Sequence, residues 1–439
     1  MFISPDNLIN PLSKYNPVTA MYARHIKQRI LESLEEFRVV YIPGARQAGK
    51  STLARQLSEE TGRQYITLDE QALRDSAASD PEGFIDAFKE ENISIDEVQY
   101  IPALVLAIKQ ASDLLPPQKK GKFLLTGSTD VFAGKEITDR LPGHMDTLTM
   151  YPLSLAELEG KSHNTVDRII DSKFINHGDV ITSKQDLCNK ILQGGYPEVQ
   201  KKSVRARSSW FRSYVQARIL KDFEQVYSGR GQYITHANEL LNLLSGRCGN
   251  LLSYNNLSNE LGIGDEKTKK MILALEQMFI VRRASGYIKN RSKRLAVTTP
   301  KLHFVDTGLA CYLLGIRTQE QLLASQFFGG LLENLIFIDL CKNAVFSNHE
   351  VEIYHFRDHQ KKEVDIILEE PGGMITGIEV KAAKSFSKSD FSGLVSLANY
   401  AGSKFKQGFL LYSGNKILPM KIDNHDFTAI PFSSLYSSD

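Results

Sequence analysis

Apolar and polar positions follow two rhythms along the chain. From Arg24 to Phe37, Ile26, Ile30, Leu31, Leu34 and Phe37 recur at helical spacing and form one stripe. Short apolar runs then alternate with further helical stretches. Val39–Ile42, Gln64–Leu68, Asn92–Val98 and Lys122–Ser128 read as strands; Thr52–Leu57, Pro81–Glu90 and residues 102–114 read as helices. This alternation predicts an α/β fold, a parallel sheet covered by helices on both faces. Ligands on such sheets bind at the carboxyl ends of the strands. Residues 160–235 carry mainly helical spacing. A helix over Tyr254–Leu261, a turn at Gly262–Gly264 and a helix over Glu266–Phe279 follow, with strands at Ile280–Arg283 and Leu295–Thr298. That order predicts a winged helix. Beyond Gly329 the pattern is a helix, strands at 351–357, 363–369 and 374–381, a helix at 388–400 and a strand at 407–412. The expected domains are residues 1–158, 159–235, 236–320 and 321–439, the first 20 residues wrapping loosely on the surface.

Length agrees with several domains, since 439 residues exceed one hydrophobic core. The net charge of +2 names no partner, so only local charge is informative. Cys188, Cys248, Cys311 and Cys341 form no C-x-x-C pair, which argues against a zinc ribbon or a disulfide framework. The N-terminus is polar and no apolar run is long enough to span a bilayer, so a cytoplasmic protein is expected.

The first candidate chemistry lies where the Val39–Ile42 strand meets its helix. Gly44, Ala45, Arg46, Gln47, Ala48, Gly49, Lys50, Ser51 and Thr52 spell a P-loop in its required context of strand, loop and helix. Its glycines let the backbone turn its N–H groups toward phosphate oxygens, and the helix start adds a positive dipole end. Lys50 supplies a cation for the β- and γ-phosphates and Ser51 a hydroxyl for Mg²⁺, so ATP and Mg²⁺ are the expected ligands. Asp96 and Glu97, adjacent at a strand end, read as the Mg²⁺ carboxylate and the base that orients the attacking water. Ser128 or Thr126 would sense the γ-phosphate.

Arg38–Thr52, Ile95–Gln99, Leu124–Ser128, Tyr151–Glu157, Gly194–Glu198 and Val305–Leu309 together resemble a prokaryotic family of AAA-type ATPases that carry a C-terminal domain of unknown function. The resemblance covers most of the chain. It departs from the family at Leu141-Pro-Gly-His144, where the family usually has Leu-Ala-Gly-Arg. An arginine that would touch the γ-phosphate is thus missing there, and Arg140 and Arg46 are the substitutes at hand.

Three further groups stand out. Tyr214, Arg218 and Asp222 fall at i, i+4 and i+8, which predicts an Arg218–Asp222 ion pair. Residues 265–294 hold nine cations against Asp265, Glu266 and Glu276. Lys267, Lys269, Lys270, Arg291, Lys293 and Arg294 are therefore candidate phosphate contacts on nucleic acid, with a lid packed on the nucleotide domain as the alternative. The C-terminal order α-β-β-β-α-β is that of the restriction-endonuclease-like fold. Asp365, Glu379 and Lys381 resemble its Asp…Glu-x-Lys signature, with Glu333 reaching in from the first helix. Glu333, Asp365 and Glu379 would hold Mg²⁺ and Lys381 would position water.

The leading expectation is a Mg²⁺-dependent ATPase acting as a switch or motor through its winged-helix and nuclease-like domains. An ATP-regulated nuclease and a weakly hydrolysing adaptor for another protein are the rivals, and a homo-oligomer or a protein partner fits each of them.

Overall fold

A computed structural model describes residues 22–130, 143–174, 183–227, 233–291, 294 and 299–436. Arg140, Leu141, Lys293 and the expected strand at 295–298 lie outside the described residues. The chain divides into two compact units. The first runs to Gly44 and from Gly49 to Met150; the second holds Ala45–Ala48 and the chain from Tyr151 onward.

The first unit is built on five strands: β1 Val39–Pro43, β2 Gln64–Thr67, β3 Ile93–Asp96, β4 Phe123–Gly127 and β5 Met145–Thr147. Their order across the sheet is β2-β3-β4-β1-β5, and every pairing is parallel. β1, β3 and β4 are buried along their whole length, which is why they read as continuous apolar runs and not as alternating ones. Helix α1, Lys50–Thr61, follows β1 directly and buries Leu53, Ala54 and Leu57. The P-loop, Asp96 and Ser128 all lie at the carboxyl ends of the strands, where the sheet needs its ligand-binding residues.

In the second unit, α2 Val204–Tyr214 passes through a π-helical turn at Val215–Ile219 into α3 Leu220–Val226. Helices α4 Tyr254–Leu261 and α5 Asp265–Gln277 form the helix-turn-helix pair. Strand β6, Val281–Ala284, pairs antiparallel with β7, Lys301–Phe304. The second strand of this ribbon thus lies further along the chain than the sequence pattern suggests. β7 is buried throughout although it carries Lys301 and His303; its polar–apolar alternation fits a strand, but four residues are too short a run to stand out.

Helix α6, Phe328–Ala344, is buried on every side from Leu331 to Asn343, with Glu333, Asn334, Asp339, Lys342 and Asn343 included. It precedes a mixed six-stranded sheet of β8 Glu352–Arg357, β9 Glu363–Glu369, β10 Ile375–Lys381, β11 Phe405–Tyr412, β12 Leu418–Ile422 and β13 His425–Pro431. The order is β12-β13-β11-β10-β9-β8; β10–β11 and β11–β13 are parallel and the remaining pairs antiparallel. Helix α7, Ser392–Ala401, connects β10 to β11. No helix among the described residues is long and apolar enough to cross a membrane.

Candidate functional site

The phosphate loop owes its shape to two glycines. A Cβ on Gly44 would meet the Met150 carbonyl oxygen at 2.0 Å, and Gly49 sits at φ 101°, where side chains are strained. Gln47 also lies at positive φ, 61°. Gly49 precedes the first turn of α1, so the free N–H groups of that turn open into the loop. Lys50 is buried, and its ammonium donates to the Gly44 carbonyl at 2.8 Å. An incoming phosphate would exchange that contact for its own oxygens.

At the end of β3, Asp96 is nearly inaccessible. It accepts from Thr126 and, at 3.0 Å, from the Tyr65 hydroxyl. Burial raises its pKa; the hydrogen bonds from Thr126, Ser51 and Tyr65 pull it back down, while the Glu97 charge pushes it up. Ser51, expected to share Mg²⁺ with Asp96, is thus close enough to favour the ionised carboxylate. Glu97 occupies a left-handed backbone position at φ 60°, and its N–H donates to Thr126 Oγ1 at 3.1 Å. Its carboxylate accepts from the Ser128 hydroxyl at 3.0 Å and from the Gln99 amide. Gln99 also donates to Ser128 Oγ at 2.9 Å and accepts from the Ser128 N–H at 3.2 Å. Gln99 thus ties Glu97 and Ser128 together, a role the spacing alone does not reveal. His144, standing where the family usually has arginine, immediately precedes β5, and its carbonyl accepts from Val39 N at 3.1 Å.

Arg46 and its neighbours Ala45–Ala48 belong to the second unit. Arg46 is ion-paired with Asp222 in α3, and its carbonyl accepts from the Tyr214 hydroxyl at 3.3 Å. The expected Arg218–Asp222 pair is not formed. Arg218 lies inside the π-helical turn, which alters the i, i+4 register and leaves Arg218 exposed. Two quoted motifs also meet here: Asp306 accepts from Gly195 N at 2.6 Å and from Leu309 N at 2.9 Å. The resemblance at 194–198 and 305–309 therefore has a structural basis.

The cations at 265–294 mostly have partners in the second unit, although Lys267, Lys269, Lys270, Lys289 and Arg291 remain exposed. Arg294 is buried, chelates Glu369 at 2.5 and 2.9 Å, and lies over the rings of Tyr287 and Tyr354. Arg291 pairs with Glu352, Arg283 with Glu276 at 2.8 Å, and Arg282 with the Tyr151 hydroxyl at 2.6 Å. Lys270 pairs with Glu266 at 2.9 Å and Lys269 lies over Tyr254, while Lys267 is exposed. Arg294 as a phosphate contact is thus corrected, since it is buried and its charge is spent on Glu369; Arg291 is exposed and pairs with Glu352.

The C-terminal carboxylates do come together, but around a different lysine. Lys301 of β7 donates to Glu333 at 2.9 Å and to Asp365 at 3.2 Å, with Glu363 at 3.9 Å. Asp365 also accepts from Val380 N at 3.0 Å. Burial, and then the Asp365 charge, hold both Glu333 and Glu379 well above the usual carboxylate range. Burial alone would lower the Lys301 pKa, yet the Glu333 and Asp365 charges raise it overall. Burial and the Lys301 charge push His355 down to about 4. Lys381, expected beside the cluster, instead pairs with Asp390. Among the described residues no group of three or more His, Cys, Asp or Glu side chains is arranged to hold a metal ion. The cluster as folded fits one internal ammonium and does not fit a divalent cation. Lys301 escapes a sequence reading because it is a lone lysine far from the carboxylate motif. Its one signal is an i, i+2 partnership with His303, which puts two polar side chains on one face of a buried strand.

Comparison with known proteins agrees with this division of labour. Residues 36–159 match an AAA domain, residues 184–320 a domain of unknown function (DUF8612), and residues 328–435 a second domain of unknown function (DUF4143). Over 380 residues, 85% of this chain and 77% of theirs, the chain is 25% identical to the uncharacterized proteins Rv2008c of Mycobacterium tuberculosis and Mb2031c of Mycobacterium bovis. Among solved structures, the Walker-type ATPase PABY2304 of Pyrococcus abyssi is similar with a TM-score of 0.38 and 14% identity, over 67% of this chain and 96% of that one. A RuvB variant of Thermotoga maritima gives 0.28 and 16%, over 59% and 88%. AMPPCP-bound DnaA of Aquifex aeolicus gives 0.28 and 10%, over 57% and 86%. The chain carries an AAA-type P-loop domain, a nucleotide-binding domain, followed by two domains of unassigned function.

Proposed function

We propose that this protein is a Mg²⁺-dependent ATPase whose nucleotide state acts as a switch on the domains that follow. The observation that carries this reading is the arrangement at the strand ends of the first unit. Asp96 accepts from Thr126 with Ser51 close by, and Glu97 is held by Ser128 and Gln99. The residues fit the ion. A buried aspartate with a raised pKa carries a desolvation cost that a divalent cation would relieve. Ser51 and Asp96 would hold Mg²⁺, which when bound neutralises phosphate charge. Lys50 would leave the Gly44 carbonyl for the phosphates, and the loop N–H groups would orient them. Glu97 would accept a proton from the attacking water once Ser128 and Gln99 release its carboxylate. Titration calorimetry with ATP and Mg²⁺ tests the binding half. Lys50→Ala should lose most of the affinity, and equal binding by wild type and variant would overturn the assignment.

The order of the C-terminal domain resembles that of the restriction-endonuclease-like fold, and Lys301 sits against Glu333 and Asp365, two of the carboxylates a nuclease would need for its metal. We therefore read it as an output module, not as the seat of metal-dependent cleavage.

A further inference from the structure

An exposed cationic stretch runs from just before α2, through the π-helical turn, into α3. From Val199 to Lys221 the sequence holds seven Lys and Arg and no Asp or Glu. Lys201, Arg205, Arg212, Arg218 and Lys221 are exposed. Among the described residues none of these five forms an ion pair; the nearby Lys202 is the one that meets Glu198, at 3.6 Å. This contrasts with the 265–294 stretch, where acids and rings have absorbed most of the cations.

Glu198 meets Lys202 and accepts from Trp210, and Asp222 is taken up by Arg46, so neither neutralises the five exposed cations. Such a run of unpaired surface cations attracts an external polyanion. A shallow depression of about 540 Å³ lies on the same face, lined by Lys202, Arg205, Ser209, Trp210 and Ser213. Its cations and hydroxyls are phosphate-binding groups.

One observation narrows the anion. Trp210 is not offered to an unpaired base: its ring is stacked on Tyr214 at 5.0 Å and 9°, and its N–H donates to Glu198 at 2.9 Å. We propose that the exposed α2–α3 face binds the phosphate backbone of double-stranded nucleic acid. This inference stands independently of the ATPase reading.

The test is fluorescence anisotropy of the full chain with a labelled DNA duplex of about 20 base pairs, titrated between about 50 and 200 mM salt. Wild type should bind at low salt with a steep salt dependence. Arg205→Glu, Arg212→Glu and Arg218→Glu together should weaken binding by at least about 10-fold and reduce the log–log salt slope by about 3, since each phosphate contact contributes about 0.9. If circular dichroism shows that this variant fails to fold, the Arg→Gln triple replaces it and should show a smaller loss of the same sign. Binding is measured without nucleotide, so failure here is distinguishable from failure of the ATPase reading. Four results would overturn the proposal. Wild type could fail to bind at low salt, or the triple variant could bind unchanged. Binding could be lost instead in Lys267→Glu/Lys269→Glu/Lys270→Glu. Finally, anionic phospholipid vesicles, not DNA, could be the ligand whose binding depends on these arginines.

Discussion

Lys301 donates to Glu333 across 2.9 Å, joining a strand of the helix-turn-helix region to the long buried helix that opens the C-terminal domain. The lysine side chain is 3% exposed and the glutamate 12%, so neither can turn to solvent when the other is removed. Breaking a buried pair by deleting one partner typically costs about 3–5 kcal/mol. Lys301→Met should therefore lower the urea midpoint of the second unit markedly while keeping its apolar stem. In the variant, Mg²⁺ or Mn²⁺ should restore part of the loss, because the carboxylates then lack their internal cation. Wild type should gain nothing from metal. Equal stabilisation of both proteins would mean that Lys301 does not occupy the cation position.

The same cluster makes a pH prediction. Glu333 and Glu379 bind their protons more tightly in the folded chain, so their contribution to stability is fully present below the ordinary value of 4.5 and is lost as pH rises through the raised value. Lys301, also raised, acts in the same sense but only above 10.5. Between mildly acidic and mildly alkaline pH, the thermal midpoint of wild type should fall more than that of Glu379→Gln, which cannot ionise. Parallel pH profiles for the two proteins would remove Glu379 from this account.

At the nucleotide site, Glu97→Gln should still bind ATP while turnover drops by about 100-fold or more, because the amide keeps the shape and loses the basicity. Gln99→Ala tests the restraint on that glutamate. If the Gln99 amide and the Ser128 hydroxyl hold the Glu97 carboxylate away from water, removing the amide should raise basal turnover several-fold at unchanged ATP affinity. Single-turnover measurements on both variants separate binding from chemistry. A fall in turnover for Gln99→Ala would assign the amide to orienting Glu97, not restraining it.

How much of this could be read in advance depended on how local the signal was. The β1–α1 phosphate loop and the carboxylates ending β3 announce themselves because strand, turn glycines and helix are contiguous, and their burial follows from apolar runs. The β-β-β-α-β order of the last domain was legible for the same reason, although the β12–β13 hairpin was not. What escaped was pairing across distance. Lys301 is 32 residues from Glu333 and 64 from Asp365, and nothing in a strand pattern names the partner of a buried lysine. The 265–294 cations looked free because local counting shows three acids among them; Glu352 and Glu369, which neutralise Arg291 and Arg294, come from the C-terminal sheet. The Arg218–Asp222 expectation failed on backbone geometry, since a π-helical turn leaves no mark in residue types.

That turn leads to the last prediction. Inserting one residue per turn at Val215–Ile219 reorients everything after Tyr214, and it is in this register that Asp222 meets Arg46. Both side chains are mostly buried, 16% and 11% exposed, and Tyr214 adds its hydrogen bond to the Arg46 carbonyl. The middle of the phosphate loop is thus fixed by groups 168 and 176 residues away in sequence. If this anchoring prepares the loop, Arg46→Ala and Asp222→Ala should each weaken ATP binding, by about 10-fold for a coupling of about 1.4 kcal/mol. The double variant should be no weaker than either single one, because both remove the same interaction. Additive losses would show that Arg46 and Asp222 act separately, with Arg46 serving as a phosphate cation in its own right. Arg46→Lys sharpens the distinction. A lysine keeps the charge but not the guanidinium fork, so affinity should stay low if anchoring matters and recover if charge alone matters.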